Sequence, residues 1–402
     1  MRIYSASSEE NLRARRLLKD WAGEGFLTEE QYQRMEKETA FDLRTTNIFL
    51  RLILFFFSLI IVCAAVGLFY LVFLSRPSAQ TTGVFLFIFA AVSYAVAEAA
   101  ASQSRLYRYG IEEALAVCSV GFLCVGVLMA FSSGTAYSPR LGGTEPLALA
   151  VAAIFSVWIW HRFGLWYAFP AAMIFVAFLP GYWTSSHSWQ HVIVVVFYAA
   201  GLACVAAIRS RHRFDYLDTS YSLDEALLWL GIYLAINLQL SSLNLLHIWR
   251  GGAIADASEF SGPFYWATWA LTWCVPPIVL VRGIRHKDRF VIAVGAVVAV
   301  LTLVTNKPYL GWERHTWDPM LLGVLLTGVA LFIRRWLARG PQGVRRGFTA
   351  ERLSGRDKQW MSAGSTAIGL FAPSVLPAPQ TSNPEVRFGG GDSGGGGASS
   401  DF

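Results

Sequence analysis

The chain has 402 residues, of which 54% are hydrophobic and only 15% charged, and its formal net charge is +6. An ordinary soluble domain carries about 25% charged residues, so a water-soluble globule is excluded. The basic excess comes with no basic stripe and no nucleic-acid-reading motif, which sets nucleic acid aside as a partner; Lys and Arg that flank apolar spans beside anionic lipid account for it.

The first 47 residues read as a cytoplasmic helical hairpin. Ser8, Glu9 and Glu10 suit a helix start, and the helix runs through Leu12, Arg15, Arg16 and Leu18 to Trp21 before Gly23 and Gly25 break it. Thr28 followed by Gln31 is a capping-box spacing, so a second helix is expected from about Glu29 to Glu38. Glu29, Glu30, Glu36 and Glu38 on that second helix would repel phosphate, which favours a docking or oligomerisation hairpin over a DNA-reading one. The first apolar run starts near Ile48, behind this charged head, so no cleavable signal peptide is expected.

Residues 48–337 then form blocks of the length needed to cross a hydrocarbon core, about 20 apolar residues each. Ten spans are expected, near Ile48–Leu74, Thr82–Ala101, Glu113–Phe131, Thr144–Trp160, Gly164–Pro180, Trp189–Ile208, Leu223–His247, Pro263–Val281, Phe290–Thr305 and Pro319–Trp336. The blocks are continuously apolar and do not alternate, so the fold class is an all-α transmembrane bundle and not a barrel. The tight junction His161-Arg162-Phe163 leaves a re-entrant fourth and fifth pair as an alternative. Ten basic residues, among them Arg105, Arg162, Arg209 and Lys287, fall in the loops expected on the head's side, against five in the opposite loops. That bias predicts both termini in the cytoplasm of a bacterium, with the bundle in its inner membrane and the bilayer as its principal partner.

Past the last span, residues 338–361 are basic, with Arg345, Arg346, Arg352, Arg356 and Lys358 interleaved with Phe348, Leu353 and Trp360. An interfacial helix on the inner leaflet and a solvated tail both fit. Residues 362–402 are rich in Pro, Gly and Ser and too poor in apolar surface to offset chain entropy, so disorder is expected there.

Two places could carry function. In the seventh span Tyr233, Asn237, Ser241, Asn244 and His247 recur at steps of four, four, three and three, which puts them on one helical face with Gln239 off it. Such a face reads either as hydrogen-bond glue between helices or as the lining of a solute path. The loop from Asn306 to Pro319 gathers Lys307, Glu313, Arg314 and Asp318 around Trp312 and Trp317, which fits an interfacial belt with local ion pairs or a binding site on the non-cytoplasmic side. Glu98 is the deepest acid elsewhere. Glu112, Glu113, Asp224 and Glu225 are expected at helix starts, where carboxylates favour the dipole. His187 and His191 have the spacing of a helical metal pair but lack the acid of H-E-x-x-H, and the five Cys all lie in apolar blocks outside any C-x-x-C. No nucleotide, hydrolase or metalloprotease motif is present, so no cofactor, metal or catalytic residue is assigned.

The stretch Leu18-Lys19-Asp20-Trp21-Ala22-Gly23-Glu24-Gly25-Phe26-Leu27-Thr28-Glu29-Glu30-Gln31, followed by the first span, resembles an uncharacterised family of polytopic bacterial inner-membrane proteins with an N-terminal cytoplasmic hairpin. That resemblance implies the architecture and no activity. The tail Phe388-Gly389-Gly390-Gly391-Asp392-Ser393-Gly394 through Ser400 is similar to the glycine-rich tails of TPM-domain envelope proteins and implies a shared partner or processing route. Three functions stay open: a scaffold or accessory component acting through head and tail, a small-solute transporter or channel, and an enzyme acting on a lipid-linked substrate.

Overall fold

The computed structural model describes residues 2–23, 25–39, 42–74, 78–131, 143–212, 217–241, 260–312, 315–341, 344–345 and 348–349. Within them the fold is an all-α bundle. The head forms α1 (Ala6–Gly23) and α2 (Glu29–Glu38). The bundle follows as α3 (Ile48–Phe73), α4 (Ala79–Ser102), α5 (Ile111–Ala130), α6 (Glu145–Phe163), α7 (Ala168–Phe178), α8 (Pro180–Trp183), α9 (His187–Arg211), α10 (Asp218–Ile236), α11 (Leu238–Ser241), α12 (Gly262–His286), α13 (Arg289–Tyr309) and α14 (Asp318–Ala338).

The helix starts follow local chemistry. The Thr28 hydroxyl accepts from Gln31 N–H at 3.3 Å and the Gln31 side chain accepts from Thr28 N–H at 3.0 Å, so the capping box forms as the spacing predicts. Asn47 caps α3 by accepting from Leu50 N–H at 2.7 Å, and Ser78 caps α4 through Thr81 N–H at 3.1 Å. These caps satisfy donors that neither lipid nor the helix can take.

Among the described residues eight helices are long and apolar enough to cross a membrane: α3, α4, α5, α6, α9, α12, α13 and α14. The two other expected spans are broken. The fifth divides into α7 and α8 at Leu179-Pro180 and covers only Ala168–Trp183. The seventh begins earlier than expected, at Asp218, and its helix stops at Ile236, because Asn237 takes an extended conformation (φ −77°, ψ 94°). Of the pair flanking His161-Arg162-Phe163, α6 is of spanning length and the apolar stretch Ala168–Trp183 is shorter.

Small residues bring the helices together. A Cβ on Gly83 would lie 2.4 Å from the Ala130 nitrogen, and one on Gly283 would lie 2.9 Å from the Ile292 nitrogen, so α4 meets α5 and α12 meets α13 backbone to backbone. The centre belongs to α10: Ala226, Leu228, Ile232, Tyr233 and Ile236 are buried against α7, α9, α12 and α13. At the other extreme α14 buries no residue, and Val324, Leu325 and Phe332 point outward. After it, Val344–Arg345 pairs antiparallel with Phe348–Thr349 and the Arg345 guanidinium lies over the Trp336 ring at 4.5 Å. The described part of the basic segment thus folds back on α14 as a minimal hairpin, and residues 350–361, with Arg352, Arg356, Lys358, Leu353 and Trp360, lie outside the described residues. Residues 362–402 lie outside the described residues.

The head is fastened to one end of the bundle by residues that precede its first helix. Ile3 N–H donates to the Arg162 carbonyl at 3.0 Å and the Tyr4 hydroxyl donates to the Leu106 carbonyl at 2.9 Å. Tyr4 meets Tyr107 edge to face with centroids 4.9 Å apart, and Leu12 joins the same apolar cluster. Burial raises both phenols above their ordinary value, so each stays a neutral hydroxyl. A second clasp joins the head's exit to the α4–α5 loop: Arg44 N–H donates to the Arg105 carbonyl at 2.9 Å and Tyr107 N–H to the Arg44 carbonyl at 3.0 Å.

Candidate functional site at the charged end of the bundle

The hairpin of α9 and α10 carries Arg209 near the end of one helix and Asp218 and Glu225 on the other, and Asp288 at the α12–α13 turn lies beside them. The Arg209 guanidinium reaches Asp218 at 2.9 Å, Glu225 at 2.8 Å and Asp288 at 2.5 Å. Arg282 on α12 takes the second oxygen of Glu225. Asp288 also accepts from the Ser222 hydroxyl at 2.6 Å and caps α13 through Phe290 N–H at 3.0 Å. Glu225 and Asp288 are buried, and each of their oxygens is met by a guanidinium, a hydroxyl or a backbone donor. Glu225 lies in the second turn of α10, since the helix starts at Asp218. The dipole explanation expected for Asp224 and Glu225 therefore gives way to ion pairing for Glu225, while buried Asp224 keeps an oxygen, Oδ2, with no hydrogen-bond partner among the described residues.

The neighbouring helices repeat the device. Arg51 of α3 donates from Nε to Glu113 of α5 at 2.9 Å and grips its second oxygen with Nη2. Glu112, in the first turn of α5 as expected, accepts from Tyr109 N–H at 2.7 Å. Glu98, the deep acid of the second span, pairs with Arg162. Gly110 makes the α5 start: its φ is +106°, and a Cβ there would lie 2.3 Å from the Arg51 carbonyl oxygen. Arg2 pairs with Glu9 at 3.1 Å and packs on the face of Gly164, a left-handed residue (φ +68°) that ends α6.

Between α1 and these loops lies a cleft of about 670 Å³. Seven cationic side chains line it, Arg2, Arg13, Arg16, Arg108, Arg209, Lys287 and Arg289, against the carboxylates of Glu9, Asp20, Asp218 and Asp288. Sequence reasoning treated most of these cations as topology markers. It missed the cleft because α1 forms one wall, and nothing local in residues 1–20 says where α1 docks.

The expected polar face of the seventh span lies toward the other end of α10, and it is closed. Asn237 donates to the Tyr233 hydroxyl and to Thr305 Oγ1, both at 2.9 Å, and its carbonyl accepts from Gln239 N–H at 3.2 Å. Tyr233 and Thr302 share a hydrogen bond of 2.9 Å. Tyr233 and Asn237 are each 0% exposed. The helix break recruits Gln239, which the uninterrupted spacing had placed off the face: its amide donates to the Tyr265 hydroxyl at 3.1 Å, and Leu238 N–H donates to the Tyr309 hydroxyl at 2.6 Å. Ser241 belongs to the separate turn α11, and Asn244 and His247 lie outside the described residues.

Thr302 has a further task. Pro276 inside α12 has no N–H to give the Thr272 carbonyl, and the Thr302 hydroxyl approaches that oxygen at 3.1 Å from α13. The sequence held a signal for this, because two adjacent prolines in an apolar span orphan two carbonyls that need donors from a neighbouring helix. Asn306 likewise accepts from the Trp269 and Trp273 indoles at 3.1 and 3.2 Å.

In the expected outer loop Lys307 sits in the last turn of α13 and pairs with Asp318, the first residue of α14, at 2.6 Å. Asp318 also accepts from His315 N–H at 3.0 Å, and Lys307 lies 5.5 Å from the Trp317 ring centroid. The Lys307 and Asp318 charges are thus paired locally; Glu313 and Arg314 lie outside the described residues. His191 is engaged with the Ala235 carbonyl at 2.8 Å, and no group of three potential metal ligands occurs among the described residues. Comparison with protein families, curated proteins and solved structures gave no match to this chain.

Proposed function

We propose that this chain is a multi-pass protein of the bacterial inner membrane, with both termini in the cytoplasm, that acts as a non-enzymatic scaffold or accessory component through its head. The carrying observation is the contrast within the hairpin. Tyr4, Leu12 and Leu18 tie α1 down, whereas α2 buries no residue and the hairpin holds Phe26 and Met35 out to solvent. Apolar side chains presented beside an anchored cytoplasmic helix suit a protein partner. The orientation rests on the basic loops, which gather at the head's end of the bundle, as the positive-inside rule expects of a cytoplasmic face. Transport along the Tyr233–Asn237 face finds less support, because its donors and acceptors are used up among themselves.

A photo-reactive residue placed at position 26 or 35 in cells tests this. One discrete cross-linked protein is expected, lost on Phe26→Asp with Met35→Asp while the bundle melts as before. No cross-link from either position, or one that survives both substitutions, would remove the head as the working surface. A reporter fused after Phe402 that is active only outside the cytoplasm would reverse the orientation.

A further inference from the structure

We propose that the cleft between α1 and the bundle is a binding site for a phosphate-bearing anion. The argument starts from charge that the fold leaves unspent. Of the four carboxylates in its walls, Glu9 is committed to Arg2, Asp218 and Asp288 to Arg209, and Asp20 on α1 is engaged as well. Arg13 on α1, Arg108 on the α4–α5 loop and Lys287 at the α12–α13 turn have no carboxylate partner among the described residues, yet all three face the same cleft. They arrive from chain segments far apart in sequence: turns of the bundle place Arg108 and Lys287, and the docked head adds Arg13. Arg108 and Lys287 hold left-handed backbones (φ 51° and 54°), a conformation that costs a non-glycine residue and that here sets both cations on turns beside the opening.

Guanidinium and ammonium donors brought to one cleft by three chain segments suit an oxyanion with several acceptor oxygens, and phosphate is a group that both Arg and Lys bind. A carboxylate would engage one fork and leave the other cations unmet. The volume admits a group larger than a bare ion, and Trp21 and Trp166 line the walls with rings about half exposed. Those rings offer an amphipathic surface to whatever carries the phosphate. Two sources share this chemistry: the headgroup of an anionic phospholipid at the membrane surface, and a soluble phosphate ester.

The test uses the full-length protein purified in non-ionic detergent and in nanodiscs. Sodium pyrophosphate is titrated calorimetrically in detergent, and retained lipid is counted by native mass spectrometry from phosphatidylcholine discs with and without phosphatidylglycerol. R13Q/R108Q/K287Q is compared with R334Q/R335Q, whose cations lie outside the cleft on α14. Wild type and the control are expected to bind at least one probe, with the triple variant weaker by on the order of tenfold or more, as loss of charged hydrogen bonds predicts. Pyrophosphate binding alone would assign a soluble ester, and selective retention of phosphatidylglycerol a headgroup; either supports the site. Should the triple variant melt early, R13Q alone carries the test, since Arg13 is exposed on α1, and a loss of several-fold is expected. Binding of neither probe by wild type, or binding unchanged by the substitutions, overturns the proposal. None of these outcomes depends on the partner-docking role of Phe26 and Met35.

Discussion

The two ends of α10 solve the problem of buried polarity in opposite ways. At Asp218–Glu225 the helix presents acids, and guanidiniums from α9 and α12 come to meet them beside an open cleft. At Tyr233–Asn237 it presents a phenol and an amide, which close on hydroxyls of α13 with no exposure. A carboxylate in low dielectric is tolerable only with a counter-charge, so the acidic end depends on neighbours that could in principle be withdrawn. Neutral donors and acceptors can saturate one another, so the second end is self-contained. The end that keeps surplus charge and a cavity is the one able to receive a ligand.

Substitutions at the two ends sharpen this contrast. The largest effect is expected for Arg209→Leu, which takes the shared guanidinium from Asp218, Glu225 and Asp288 at once and leaves Glu225 with Arg282 and Asp288 with Ser222; a loss of about 3–5 kcal/mol, read as detergent unfolding against wild type, follows from breaking a buried pair by one partner. A loss comparable to a surface ion pair would mean that water already reaches the cluster. Within the same end, Glu225→Gln should cost roughly 2–4 kcal/mol and Asp224→Asn on the order of 1 kcal/mol or less, because cost follows the guanidiniums engaged and not burial, which the two residues share. Equal losses would break that rule.

Asn237→Leu should cost about 1–3 kcal/mol by leaving the Tyr233, Thr305 and Gln239 groups short of partners. The same variant in proteoliposomes is expected to change no solute flux; a flux that disappears with it would turn the neutral end into a pathway. The smallest effect belongs to Lys307→Met at the α13–α14 junction, where the pair is half-exposed and the melting temperature should not move measurably, as for most ion pairs that water reaches.

Much of this organisation is legible from residue order. The capping box at Thr28 and Gln31, the hairpin bounds and the apolar helices answer to rules that act within a turn or across a bilayer's thickness. The seventh span shows where those rules stop. Its periodic spacing is real, and Tyr233 and Asn237 do meet, yet the helix ends between them because Asn237, Leu238 and Gln239 find better partners on α12 and α13 than the next turn would supply. Arg209 and Lys287 were readable as basic loop residues, but their different fates, one saturated by three acids and one left facing a cleft, depend on helices that come from other parts of the chain.

What residue order alone settles is hydrophobic segregation: long, continuously apolar blocks that do not alternate become helices in lipid, since the other self-satisfying backbone there, a closed barrel, needs alternating strands. Which carboxylate each guanidinium meets, how Thr302 relieves the carbonyl orphaned by Pro276, and where Tyr4 seats the head were decided by packing. Those contacts join residues tens to hundreds of positions apart, and their energy exists only once the helices have been brought side by side.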